Sequence, residues 1–404
     1  MDQYVARLLM LSFFLPMKLQ VLATMGTCVY FVVRSVVAKQ AGPAGNYLHA
    51  LILGSGFLLF LFAIPFTTPE FMKPLLENCQ HRVSFLFMPF VFAIVSPKFK
   101  EVLMGELMYF VYGCFIICVA ANADIGYHYY YAGSGVQPLS HVGYRSTVHA
   151  FTEVHPTYLS MYLCFSICIL LLSQELDIRV RPYIQNVLLY GSFIFLLALG
   201  AKMPIIALVI ILVHFAWVRR ADLRRHRSLL IGLPLSVAAA WIFIPFLRQR
   251  LYEMLQFFGS GRSGSIADNS VYARQMIWSM DMSLLKNYWL TGVGPGRVFS
   301  AMRLQSFFYS LGSGIPAQYH DPHNEYFYEW LCFGILGIAI FVATLFTHFR
   351  QAVRFKDHLY LYLLLVLCIT FFTETVLSLQ RGVMFYAVFT SLMYYRPGIK
   401  RHTI

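Results

Sequence analysis

Residues 318–346 read QYHDPHNEYFYEWLCFGILGIAIFVATLF, a short polar run from Gln318 to Glu325 that passes without interruption into an apolar stretch from Tyr326 to Phe346. About 20 consecutive apolar residues in a helix match the thickness of a bilayer's hydrocarbon core. Pro322 fits the start of that helix, and His323 and Asn324 then sit at its N-terminus, facing an aqueous boundary. Scanning outward for similar stretches, short or broken helices included, gives about twelve spans. They lie near 5–16, 19–35, 48–66, 82–97, 103–121, 156–173, 185–200, 203–217, 229–247, 325–347, 359–376 and 384–396.

Composition agrees with a bilayer as solvent. Hydrophobic side chains make up 59% of the 404 residues and charged ones 12%, whereas soluble domains carry about 25% charged residues. An ordinary soluble enzyme is therefore excluded, and 17% aromatic residues exclude disorder. Of the eight cysteines, all but Cys79 lie in or beside apolar runs. Cys114/Cys118 and Cys164/Cys168 have a spacing that metal ligands also use, but in helices this apolar they read as small packing residues. Leu8 to Pro16 lacks the basic flank and small-residue cleavage site of a signal peptide and reads as a short membrane helix.

The net charge of +13 is explained by topology. Basic residues of short loops tend to stay cytoplasmic. Arg34 and Lys39, Lys98 and Lys100, Arg179 and Arg181, the cluster from Arg219 to Arg227, Arg350 to Lys356, and Arg396 to Arg401 all fall on one side of a twelve-span arrangement. Both termini are then inside, and no nucleic-acid site is needed. The opposite side receives the long segments 122–155 and 248–323, with shorter connections at 67–81, 201–202 and 377–383. The expected organisation is an N-terminal membrane region of about nine helices over 1–247, a large outer loop 248–323 of short amphipathic helices, and membrane helices 324–404, all in one integrated domain. Stretches such as Val271 to Leu285 fit helices lying at the outer interface.

Three outer clusters carry candidate chemistry. His323, with Asp321 or Glu325 to orient it, suits a general base near neutral pH; a histidine and asparagine at this place also serve as plain helix caps. Arg274, in Tyr272-Ala273-Arg274-Gln275-Met276-Ile277-Trp278, offers a fork that matches phosphate oxygens. The following Gly292-Val293-Gly294-Pro295-Gly296 either lets backbone amides approach an anion or folds as a tight turn; no Gly-Lys-Ser/Thr follows, so it is not an ATP loop. Lys202, in the 201–202 hairpin before Pro204, adds a positive charge on the outer side, where snorkelling to lipid phosphate is the alternative. Arg381 and Glu374 form a further possible charge pair. His155, before Pro156, either binds a sugar or caps its helix. The run Tyr127 to Tyr131 suits carbohydrate stacking or an interfacial aromatic belt.

Taken together, the spans, the late outer loop, Arg274-x-x-x-Trp278, Gly-Val-Gly-Pro-Gly at 292–296, His323-Asn324, Gly-Ile-Leu-Gly at 334–337 and Gln-Arg-Gly at 380–382 resemble the O-antigen ligase and polymerase superfamily. The resemblance implies an all-α, GT-C-like polytopic membrane glycosyltransferase that works without metal or cofactor. It implies transfer of a glycan from undecaprenyl diphosphate to a sugar hydroxyl of lipid A–core, on the periplasmic face of a bacterial inner membrane. Polymerase members use another lipid-linked glycan as acceptor. His323 is then the catalytic base, Arg274 and Lys202 hold the diphosphate, and Asn324, Arg381 and His155 complete the substrate site. Family members commonly have arginine at the hairpin; Lys202 keeps the charge but not the fork. No paired carboxylates with glycosidase logic are evident. A secondary transporter or lipid-glycan flippase is the reading from another class, and it would place essential charges deep within the spans.

Overall fold

A computed structural model describes residues 1–43, 45–130, 141–220, 227–244, 270–313 and 321–396. Every regular element among them is helical. The chain divides into two compact units that alternate along the sequence. One comprises Met1–Tyr30, Glu101–Ser263 and Leu361–Ile369; the other comprises Phe31–Lys100, Gly264–Tyr360 and Thr370–Ile404.

The first unit is built around the helix Pro156–Leu171, every residue of which is buried. Proline at its first position pre-sets the helical turn without wasting an amide, and the His155 side chain accepts from the Thr157 amide at 3.4 Å. Phe13, Phe110, Tyr162 and Phe165 interlock as edge-to-face rings in this core. The hairpin before Lys202 follows from Gly200, whose left-handed φ of 59° closes the helix Pro182–Leu199. Seven of the eight cysteines are buried, at packing positions within helices.

Apolar faces turned outward identify the solvent. In Lys202–Val218, Val209, Val213 and Trp217 lie on one stripe and are 55%, 66% and 70% exposed. Continuous apolar stripes of this kind are incompatible with water over such an area. Among the described residues, four helices are long and apolar enough to cross a membrane: Met17–Val37, Pro97–His128, Pro182–Leu199 and Glu325–Arg354. The number becomes six if two bent pairs, Asn46–Leu53 with Ser55–Phe66 and His141–Thr152 with Pro156–Leu171, each count as one span. Shorter apolar helices occupy Lys202–Val218, Ile231–Ile242 and His358–Phe371. A helix thus stands within each stretch read as a span, as far as the described residues extend, and these residues form an all-helical membrane protein. The outer segment expected from residue 122 is partly helical, since Leu107–Tyr130 continues well into it.

The second unit centres on Gln380–Tyr395, buried from Arg381 to Tyr395. Beside it runs the long helix Glu325–Arg354. The sequence reads as a continuous helix there, but the backbone leaves helical geometry at Phe333 and Gly334, the latter with φ 61° and ψ −149°. The reason is tertiary. A Cβ at Gly334 would collide with the carbonyl of Leu290, and the Leu331 carbonyl freed by the break accepts the Val293 amide at 2.7 Å. The Gly292–Gly296 loop is therefore a packing turn against the broken helix. Its Gly292 and Val293 amides are bonded to Tyr288 and Leu331 rather than held open for an anion. Only glycine adopts the Gly334 conformation without strain, so Gly334→Ala should destabilise the protein by at least about 2 kcal/mol, read as a lowered melting temperature in detergent.

Candidate active site

Three segments of the second unit build the site. The first is the turn 321–324 before the long helix. Asp321 Oδ1 accepts the His323 amide at 2.8 Å, and Asn324 Oδ1 caps the helix by accepting from the Phe327 amide at 3.1 Å. His323 itself has φ 46°, a left-handed conformation that costs a non-glycine residue about 1–3 kcal/mol and concentrates at functional sites. The second segment is 373–375, between the helices His358–Phe371 and Gln380–Tyr395. The Thr375 hydroxyl lies 2.7 Å from both carboxylate oxygens of Asp321, joining this segment to the first. The third is the helix Ser270–Tyr288, which carries Arg274.

Glu374 brings the three together. Its Oε1 accepts from Arg274 Nη2 at 2.7 Å, while its Oε2 lies 3.5 Å from His323 Nδ1. Arg274 Nε also donates to the Thr373 carbonyl at 3.2 Å. The contact to His323 is an ion-pair distance, somewhat long for a hydrogen bond, as catalytic contacts often are before substrate binds. Nδ1 is buried although the His323 side chain as a whole is 39% exposed. The accessible part of the side chain therefore lies away from Nδ1. A carboxylate facing Nδ1 favours the tautomer protonated there and leaves Nε2 as the base.

Electrostatics tune the ring. Burial alone would lower the basicity of His323, but Glu374 and Asp321 outweigh it and raise its pKa above the ordinary histidine value, with Arg274 opposing them. A histidine that serves as a base must be unprotonated, so any reaction that uses His323 in this way should rise with pH through this raised value. Glu374→Gln should move that inflection to lower pH, and a pH–rate profile of the variant checks it.

Asn324 is 4% exposed and its side-chain oxygen makes the cap. Arg381 is buried at the start of Gln380–Tyr395. Glu325, one of the two carboxylates expected to orient His323, pairs instead with Arg82 at 3.0 Å. Lys202 and His155 belong to the first unit, Lys202 as the first residue of its helix and His155 as a cap with its ring 6.0 Å from that of His149. His320 and Arg262 lie outside the described residues.

Two of the buried charges that sequence reasoning missed bear on the site. Asp281, two turns beyond Arg274, is fully buried, and neither carboxylate oxygen has a hydrogen-bond partner among the described residues. Burial and the nearby Asp321 charge hold its carboxyl well above the usual carboxylate range. Arg82 is the other. Its place at the outer end of the expected span 82–97 is the same departure from the cytoplasmic bias of basic residues that singled out Lys202.

Fold and site define a helical membrane protein with a histidine and an arginine joined through one carboxylate. Residues 187–342 match the model of the O-antigen ligase family, and this segment contains Lys202, Arg274, His323 and Asn324; the match supports the resemblance to the O-antigen ligase and polymerase superfamily. A search of curated proteins finds no match.

Proposed function

We propose that the protein is an O-antigen ligase-type glycosyltransferase of the bacterial inner membrane. In this reading it moves a glycan from undecaprenyl diphosphate to a sugar hydroxyl of lipid A–core on the periplasmic face. The observation that carries the reading is the shared carboxylate of Glu374, which sets a phosphate-matching arginine beside an accessible histidine base. About twelve spans in a GT-C-like arrangement, with both termini cytoplasmic, would put this site on the outer boundary.

The chemistry follows from the residues. The acceptor hydroxyl oxygen attacks the anomeric carbon and its proton passes to His323 Nε2. The bond from the anomeric carbon to the diphosphate oxygen breaks, and undecaprenyl diphosphate leaves with the electron pair. Attack opposite the leaving group inverts the anomeric configuration. The developing negative charge falls on a diphosphate held by Arg274, a group that loses little on reorganisation because Glu374 and Thr373 already fix it. The resemblance assigns Lys202, Arg381 and His155 to substrate binding as well, and Asn324 acts by holding the turn that presents His323.

A deletion strain complemented with the wild-type chain tests the reading, with envelope glycans resolved on a gel. Loss of polymer from lipid A–core in the deletion, with long polymer accumulating on undecaprenyl diphosphate, supports the ligase. Accumulation of single lipid-linked repeats would replace it with a polymerase acting on a lipid-linked acceptor. An unchanged glycan pattern would overturn both.

A further inference from the structure

Arg82 lies far from the site in sequence and is 2% exposed. One arm of its fork meets Glu329, and the other, Nη2, donates to Glu325 Oε1 at 3.0 Å. The rings of Phe60 and Tyr328 flank the guanidinium with centroids at 4.6 and 5.0 Å, so its orientation is fixed. Glu325 uses its second oxygen elsewhere, accepting the Leu377 amide at 2.7 Å. Leu377 sits in the 3₁₀ turn Val376–Ser378, directly after the Thr373–Thr375 segment that carries Glu374. That turn is stiff, because the Ser378 hydroxyl and amide both donate to the Thr375 carbonyl, at 2.7 and 3.2 Å. Direct contacts therefore run from Arg82 through Glu325 to the Leu377 amide, and the three-residue backbone step from Leu377 back to Glu374, braced at Thr375, leads to the carboxylate that joins Arg274 and His323.

We propose that Arg82 is a positioning residue of the active site, setting the placement of Glu374 against His323 through Glu325 and the Leu377 amide. This rests on the glycosyltransferase reading above. Glu329 provides the control, since it occupies the other arm of the same fork and its ion pair is with Arg82 rather than with the 373–378 segment. The titratable and charged groups that face His323 are Asp321 from its own turn, Glu374 from the second segment and Arg274 from Ser270–Tyr288. Arg82 touches none of them directly, and its effect must pass through backbone placement.

A glutamine at 325 has one acceptor oxygen for two donors, Arg82 and the Leu377 amide, and must release one. A glutamine at 329 keeps its oxygen on Arg82. The test uses the purified full chain with an undecaprenyl diphosphate-linked glycan and lipid A–core as substrates, and records rate against pH and melting temperature for each variant. In Glu325→Gln the Asp321–Thr375 bond remains, so kcat should fall by about tenfold, within the hundredfold that an ångström of misplacement can cause. Its pH inflection should also move down, because Glu374 no longer stands at its full effect beside His323. Glu329→Gln should leave the inflection where it is in the wild type. If Glu325→Gln does not accumulate, Arg82→Lys, which keeps the charge and loses the fork, should give the same downward movement. Equal inflections in wild type, Glu325→Gln and Arg82→Lys would overturn the positioning role. Absence of transfer by the wild type, or transfer surviving in His323→Ala, would instead overturn the glycosyltransferase reading beneath it.

Discussion

Replacing His323 with alanine is expected to lower glycan transfer by about 10²–10⁴-fold, the range that a positioned general base contributes. The expected loss is in turnover and not in donor capture, because in the proposed reaction the base acts on the acceptor hydroxyl while Arg274 remains held by Glu374 and the Thr373 carbonyl. Folding should survive. The cap that starts the long helix belongs to Asn324, and alanine frees the backbone of no bond, since the His323 contact to Asp321 is made by its amide. Alanine tolerates the left-handed φ of 46° no better than histidine, so a modest decrease in melting temperature should accompany the change. Two measurements check this: transfer rate with purified lipid substrates, and binding of the undecaprenyl diphosphate-linked donor. Retained transfer would remove His323 from the role of base.

The second large effect is expected from Arg274→Ala. Hydrogen bonds to charged groups contribute about 1.5–3 kcal/mol each, so donor affinity should fall by about 10- to 150-fold. Turnover should fall with it, because the same cation stabilises the leaving diphosphate. The pH profile carries an independent signature. Arg274 opposes the rise in the His323 pKa, and its removal also takes a cation off Glu374, so the inflection should move to higher pH. Glu374→Gln moves it the other way. Arg274→Lys should restore part of the affinity without the bidentate component. Unchanged donor affinity in Arg274→Ala would reduce this residue to a partner of Glu374.

The expectations that held are local ones. Pro322, His323 and Asn324 announce a helix start because a fixed φ and a short capping side chain act on the backbone within a few residues, and the helix begins at Glu325. Val271 to Leu285 has helical periodicity and lies within Ser270–Tyr288. Where the reading of the sequence went astray, a contact between distant segments decided. Gly-Ile-Leu-Gly looked like ordinary helix, and the approach of the Leu290 carbonyl breaks it at Gly334. The Gly292–Gly296 loop looked equally suited to an anion, and packing against that break uses its Val293 amide, while the Gly292 amide closes onto the Tyr288 carbonyl. Glu325 looked like a support for His323, while the structure gives that position to Glu374, which the sequence had set beside Arg381.

The sequence by itself determined the solvent, the helical class and where helices begin, because hydrophobic periodicity, proline and capping residues act over one or two helical turns. Tertiary structure alone decided which charges work together. Arg274 and Glu374 are 100 residues apart, and Arg82 and Glu325 are 243 apart. Several carboxylates could have balanced each of these cations. Buried charges are stable only when paired in good geometry, and which carboxylate arrives is set by how the helices pack, a property of the folded chain that no local pattern encodes.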